Sequence, residues 1–385
     1  MTDLKDRSQG SDLARAQSSS ISMSGRKHFV TIVDTNDRHR QQVAEALLSF
    51  YGIEGFGDST NALTSLSLTS PSLVIVGDHV GAQSGVRFIK RMREVSILNQ
   101  VPILFICDKF DSDSINGALH NGANGHLVKP YRRSALIKQI SALLNASVEK
   151  KWEALPEVPR RALQGTVEAF NNISDMIASG EPLPYSEITD SCQPLVEAVK
   201  KNEFKSLLNS VKDHDNYSYS HSLRVATLLS LFGSAAGVKG EELLTLASGG
   251  LLHDAGKMSI PHDVLNKPGK LDDAEFAVMK THVPETIKFL YTNPEIPKAV
   301  LDIASQHHEK INGTGYPMGL KGSELNELAR MASIVDVFSA LTDRRVYKPP
   351  MEPEKAIKIM TEEMTTHLDQ NFLRLFQAML LDATS

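Results

Sequence analysis

Cysteine is scarce: the 385 residues contain two, Cys107 and Cys192, far apart and in no CxxC pattern. That excludes a disulfide framework and suits a reducing, cytoplasmic setting. A basic excess is also missing. Lys and Arg number 41 against 46 Asp and Glu, a formal charge of −5, which argues against a nucleic-acid or membrane-binding surface. A small phosphate ligand stays open, because it needs only local positive charge or a metal. No run approaches the ~18 apolar residues of a membrane span, and the Ser-, Gln- and Asp-rich start lacks the apolar core of a signal peptide. Residues 1–25 are expected to form a disordered leader. What remains is an ordinary globular balance, 41% hydrophobic and 23% charged, with length for two or three domains.

The first part of the chain alternates. HFVTIVD (28–34), SLVIVGD (72–78) and VPILFICD (101–108) read as strands. RHRQQVAEALLSFYG has helical spacing and stops at Gly52. Helix-like stretches lead to GANGHLVKP (122–130) and on to about Leu144. This alternation predicts a parallel, doubly wound α/β sheet. KKWEALPEVPRRAL, with two prolines, predicts a helix with a break. Residues 216–385 show amphipathic runs broken by Gly and Pro and no strand pattern, hence an all-α helical bundle. The expected division is 26–146 for the α/β domain, 147–180 for a helical connector and 181–385 for the bundle.

Among the 13 histidines, the informative ones are His221, His253, His282, His307 and His308, spread over successive helical segments with Asp254 and Asp336. Each segment can deliver one or two ligands into a bundle core. Asp336 sits in ASIVDVFSAL, flanked by Ile334, Val335, Val337 and Phe338. A buried carboxylate without a partner is expensive, and a metal satisfies it as well as a cap or salt bridge would. His282 alone reads as an ordinary surface or core histidine; the set is far more specific than its members.

YSYSHSLRVA, LLHDAGK, THVPETIKFL, HHEKINGTGYPMGLKG and VDVFSALTDRRVYK resemble, in order and rough spacing, the signatures of the HD-GYP family across about residues 155–385. The resemblance implies two divalent metals that share a bridging aspartate. His221, His253, Asp254 and Asp336 would hold one; Asp254, His282, His307 and His308 the other. Such mixed ligation suits iron or manganese, with zinc as a third option. It further implies catalytic roles for Asp254 and Lys257, contacts from Gly315 and Tyr316 to a dinucleotide, and contacts from Arg345 and Lys348 to its phosphates. Read without the family, Lys257 is an exposed lysine, and the glycine-rich loop Asn312–Gly322 a plain surface turn. The implied activity is hydrolysis of cyclic di-GMP to pGpG, with GMP as a further product. Two other readings stay open: a metal-bearing cyclic di-GMP receptor with little turnover, and cyclic GMP-AMP as substrate. The chain departs from the family at Asn312 and Ser339, each usually Asp, and at Tyr217, where some members place a Glu for a third metal. Two metals are therefore expected, not three.

GHLVKPY (125–131) resembles the Lys-Pro corner of response-regulator receivers, with Lys129 and Pro130 in place. Other marks of that family are altered. The strand-end acid pair reads Asp34–Thr35, the phosphoacceptor position falls on Gly77 with Asp78 one residue late, and the Ser/Thr position is Cys107. A one-residue shift turns a side chain to the opposite face. The resemblance thus implies a pseudo-receiver without a phosphoacceptor, acting through a protein partner. No nucleic-acid or membrane partner is expected; a homodimer is left open.

Overall fold

The protein, seen in a computed structural model, is described for residues 29–47, 51–212, 214, 216–265, 267, 269–343 and 350–384. The expected leader, 1–25, lies outside the described residues.

The first unit contains β1 (Phe29–Val33), α1 (Asp37–Leu47), β2 (Gly52–Phe56), α2 (Ser59–Thr69), β3 (Leu73–Gly77), β4 (His79–Val80), β5 (Gln83–Ser84), α3 (Gly85–Arg93), β6 (Ile103–Cys107), α4 (Ser112–His120), β7 (Gly125–Val128) and α5 (Arg133–Lys151). Five strands form a parallel sheet in the order β2-β1-β3-β6-β7. β4 and β5 form a separate antiparallel hairpin between β3 and α3. The central strands β3 and β6 are buried along their whole length, as expected where helices cover both faces. One face packs Phe88, Ile89 and Met92 of α3 against Val74, Val76 and Phe105. The other packs Val43 and Leu47 of α1 and Leu136 and Ile140 of α5 against Ile32, Ile75 and Leu104. The strand β7 occupies GHLV, in the stretch 122–130 where the preceding helix was expected to end.

The second unit is helical: α6 (Glu157–Ser179), α7 (Tyr185–Lys200), α8 (Phe204–Ser210), α9 (Tyr217–Ala235), α10 (Glu241–Leu252), α11 (His262–Leu265), α12 (Asp273–Lys280), α13 (His282–Leu290), α14 (Lys298–Gln306), α15 (Glu327–Thr342), α16 (Pro353–Glu362) and α17 (Gln370–Thr384). One apolar core runs through it, from Val148 and Trp152 through Leu163, Phe170, Leu229 and Ile303 to Val335 and Phe376. The segment 147–180, read from sequence as a connector, puts Leu163, Phe170 and Ile173 into this core, so α6 is part of the bundle's packing. The break expected near the two prolines falls at Trp152–Ala154, a 3-10 turn between α5 and α6. There the Trp152 ring stacks on His214 at 5.9 Å, and His214 meets the ring of Tyr219 edge-on at 4.8 Å. The indole N–H donates to the Ser210 carbonyl at 3.2 Å. No helix among the described residues is long and apolar enough to cross a membrane.

Candidate metal centre

Two close packings of backbone and one side-chain hydrogen bond build the site. On α10, a Cβ at Gly250 would lie 2.7 Å from the Ala226 Cα of α9, so the absence of a side chain lets the two helices touch. That closeness sets the His221 and His253 rings 5.5 Å apart. After α10 the chain turns through a 3-10 segment, Ala255–Ser259. A Cβ at Gly256 would meet the His282 carbonyl oxygen at 2.1 Å, so this turn is pressed against the start of α13. The Gly256 N–H donates to Thr286 Oγ1 at 2.8 Å. His307 and His308 follow α14, and Ser333 of α15 donates to the His307 carbonyl at 2.6 Å, locking the helix that carries Asp336 to the histidine pair.

The structure brings all seven expected ligands together. Their donor atoms form two groups, Asp254–His282–His307–His308 and His221–His253–Asp336, each with its atoms within 4.8 Å of one another. All but His308 are buried. Asp254 lies between the groups. Its Oδ2 is 3.1 Å from His253 Nε2 and 3.6 Å from His221 Nε2. Its Oδ1 is 3.2 Å from His282 Nε2 and 3.7 Å from His307 Nε2. Asp336 Oδ1 is 2.9 Å from His221 Nε2, and its Oδ2 is 3.6 Å from His308 Nδ1.

The hydrogen bonds fix which ring nitrogen faces inward. His253 Nδ1 donates to the Gly250 carbonyl at 2.7 Å, His282 Nδ1 to Met279 at 2.7 Å and His307 Nδ1 to Ala304 at 3.0 Å. A ring that spends its Nδ1 proton on a carbonyl keeps a lone pair on Nε2. Those three Nε2 atoms and Asp254 Oδ1 are buried without a hydrogen-bond partner among the described residues. Unsatisfied buried groups are costly, and four of them converging from three segments, the ends of α10 and α14 and the start of α13, fit a cation. Burial pushes the pKa values of His307 and His308 down, which keeps both rings neutral and able to ligate. Burial opposes ionisation of Asp254, but His253 and Lys257 hold it well below the usual carboxylate range. Burial acts likewise on Asp336, and His221 overrides it.

Lys257 is not the exposed lysine that its position after a glycine suggests. Its side chain is 17% exposed and its ammonium is ion-paired with Asp254 Oδ2. Gly315 and Tyr316 lie in the loop beyond His308. A Cβ at Gly315 would fall 2.4 Å from Glu309 Cα and from the Lys310 nitrogen, so this glycine serves a crossing of the loop over its own backbone. Tyr316 tilts against His308 with ring centroids 4.8 Å apart. Burial, with Asp336 and Asp254 nearby, raises its pKa, so the phenol keeps its proton. Arg345 and Lys348 lie outside the described residues. Asn312 accepts from the Thr314 N–H at 3.0 Å and hydroxyl at 2.7 Å, closing a turn within the loop. The Tyr217 ring stacks on His221 at 5.8 Å.

Sequence reasoning missed two acids here. Buried Glu309 accepts from three successive backbone N–H groups, of Met318 at 2.6 Å, Gly319 at 3.0 Å and Leu320 at 3.1 Å, and so ties the loop down. Its place directly after the histidine pair marks the position, but not the loop contacts it makes. Asp343 accepts from His221 Nδ1 at 3.0 Å and pairs with Arg224 at 3.1 Å. It lies one helical turn past Ser339, whose buried hydroxyl has no partner among the described residues.

In the α/β unit, a Cβ at Gly77 would lie 2.4 Å from Asp34 Oδ2, so the Asp34 carboxylate occupies the room a side chain at 77 would need. It is held there by His39 Nδ1 at 2.6 Å, the Asn36 N–H at 2.8 Å and Lys129 at 3.7 Å. Burial opposes its ionisation, yet these partners keep the carboxyl below its ordinary pKa. Lys129 donates to Asp108 at 2.7 Å. Asp78 accepts from the Asp108 N–H at 3.0 Å. Thr35 clasps the β4–β5 hairpin, donating from N and Oγ1 to the His79 carbonyl at 2.9 and 3.0 Å and accepting from the Gly81 N–H at 2.7 Å. Cys107 is fully buried, with Sγ 3.5 Å from the Leu127 carbonyl oxygen.

Residues 205–372 match the HD domain family and residues 30–141 the response regulator receiver domain family. A cyclic di-GMP phosphodiesterase of Pseudomonas aeruginosa is 37% identical over 166 residues, covering 43% of this chain and 40% of that protein. A 3'3'-cGAMP-specific phosphodiesterase of Vibrio cholerae is 37% identical over 153 residues, 40% of this chain and 33% of that protein. A cyclic di-GMP phosphodiesterase response regulator of Xanthomonas campestris, RpfG, is 27% identical over 333 residues, 85% of this chain and 81% of that protein. The chain spans less than half the length of the first two and most of the third.

Proposed function

The chain joins a response regulator receiver domain to an HD domain, and from that premise we propose a metal-dependent phosphodiesterase that hydrolyses cyclic di-GMP to pGpG. The observation that carries this reading is two ligand groups with Asp254 between them, one oxygen facing each, and buried ring nitrogens that have no other partner among the described residues. His221, His253, Asp254 and Asp336 would hold one divalent ion, and Asp254, His282, His307 and His308 a second, iron or manganese by the chemistry of the donors. Bound there, two such ions supply Lewis-acid charge for phosphate oxygens and make water nucleophilic near neutral pH.

The chain's own groups complete the site. Asp254, ionised at neutral pH, offers one oxygen to each group. Lys257 keeps a positive charge beside it, suited to stabilising the charge that builds on phosphate as the ester bond breaks. The protonated Tyr316 hydroxyl can donate a hydrogen bond to substrate. Glu309 holds the loop carrying Tyr316 in place. With Tyr217 where a third acid would stand, the reading stops at two ions and pGpG as main product. The receiver is read as a pseudo-receiver: Asp34 fills the phosphoacceptor's space, and the unit signals through a protein partner. Two buried free cysteines suit a cytoplasmic setting. The cGAMP-specific relative, as similar as the first at 37% identity, supports cyclic GMP-AMP as a second reading.

The test is product formation from cyclic di-GMP by protein loaded anaerobically with iron or manganese, beside a His253→Ala/Asp254→Ala variant. The expected result is pGpG that disappears in the variant. Bound metal and bound ligand without product would overturn the enzyme in favour of a receptor, and turnover of cyclic GMP-AMP alone would move the substrate.

A further inference from the structure

Helix α12 contributes nothing to the core: none of its residues is buried. It is nevertheless well made. Asp272 accepts from the Glu275 N–H at 2.9 Å and Glu275 accepts from the Asp272 N–H at 2.8 Å, a complete capping box, which fixes the first turn of a helix. Its last residue, Lys280, stands two positions before the ligand His282, so the helix is joined directly to the metal centre. Packing does not account for a capped helix with no buried face.

It presents Phe276, 45% exposed. The Phe276 ring meets Tyr316 nearly at right angles, 86°, with centroids 6.2 Å apart. Tyr316 in turn lies against His308. An aromatic track thus runs from a metal ligand to the surface. The Lys280 ammonium sits 5.1 Å from the Phe276 centroid and 5.9 Å from that of Tyr316, and it forms no ion pair among the described residues. An exposed phenyl ring beside a perpendicular aromatic ring and an unpaired cation is matched to one class of occupant: a planar, π-faced heterocycle with acceptors on its rim.

We propose that Phe276 and Lys280, with Tyr316, form the subsite that takes a purine base of the dinucleotide, Phe276 by stacking and Lys280 by reading the base edge. This rests on the cyclic-dinucleotide reading above and names residues that reading leaves out. Guanine offers two adjacent acceptors, O6 and N7; adenine replaces O6 with an amino donor. A lysine at the edge therefore favours guanine, which makes Lys280 a specificity determinant as well as a contact.

The test uses full-length, metal-loaded protein, with calorimetric binding of hydrolysis-resistant phosphorothioate analogues of cyclic di-GMP and cyclic di-AMP. Bound metal per chain and circular dichroism report whether the centre and the fold are intact. Phe276→Ala should weaken cyclic di-GMP binding about tenfold or more and leave metal content and fold unchanged, and Phe276→Trp should restore binding. Lys280→Met should weaken the guanine ligand more than the adenine one. Unchanged affinity in Phe276→Ala, with wild type binding normally, overturns the subsite alone. Failure of wild type to bind the cyclic di-GMP analogue overturns the reading on which it rests.

Discussion

Asp343 is not among the seven candidate ligands, yet it sets the orientation of one of them. His221 donates from Nδ1 to this carboxylate, which Arg224 holds from its other oxygen, and so His221 turns Nε2 toward Asp336 and Asp254. Outer partners of this kind fix ring orientation, and their loss weakens metal affinity by roughly 10–100-fold. Asp343→Ala should therefore lower metal content at limiting metal while the protein stays folded, and Asp343→Asn, which still accepts a hydrogen bond, should recover much of it. Metal analysis after dialysis against a weak chelator, with circular dichroism as the folding control, reads both. The seven residues that the structure gathers were legible in the sequence as a set because each sits in a short motif whose order and spacing are distinctive. Asp343 and Glu309 were not, because their partners are a ring nitrogen 122 residues away in one case and the N–H groups of a returning loop in the other. Contacts made by a chain folding back leave no local pattern to read.

At the scale of elements, the same rule separates the strands. β3 and β6, buried along their whole length, are continuous apolar runs, and the sequence shows them. β2 and β7 are the two edges of the sheet, half-exposed, and carry Glu54 or His126 where a central strand would carry valine; their pattern fades with their burial. The tip of β3 carries a consequence that sequence counting only hinted at. Gly77 has no room for a side chain, because Asp34 is already there. Restoring an acid by Gly77→Asp should therefore not restore phosphorylation. It should destabilise the receiver, by on the order of 1–3 kcal/mol for an overpacked site, and the added charge beside Asp34 works in the same direction. A thermal melt of the variant, and intact-mass measurement after acetyl phosphate treatment, check the two halves. Stoichiometric phosphate on either the natural protein or the variant would defeat the account.

For the whole molecule, the division between units is less sharp than composition suggests. Helix α5 runs unbroken from the sheet to Lys151, and α6 belongs to the bundle's core. A chain beginning at residue 147 should fold as a stable helical body, whereas one beginning at 181 would bare the surface that Leu163, Phe170 and Ile173 cover. At about 2–5 kcal/mol for each large core side chain removed, the shorter chain should be insoluble or melt far below the longer one. Solubility and melting temperature of the two fragments decide it. The junction itself is a stack of rings: Trp152 on His214, His214 on Tyr219, and Tyr219 two residues from His221 along α9. Packed interiors pass on a displacement instead of absorbing it. The stack behaves like a pushrod: were a partner to shift α5 by a fraction of an ångström, the stroke would arrive at α9, the helix that carries His221.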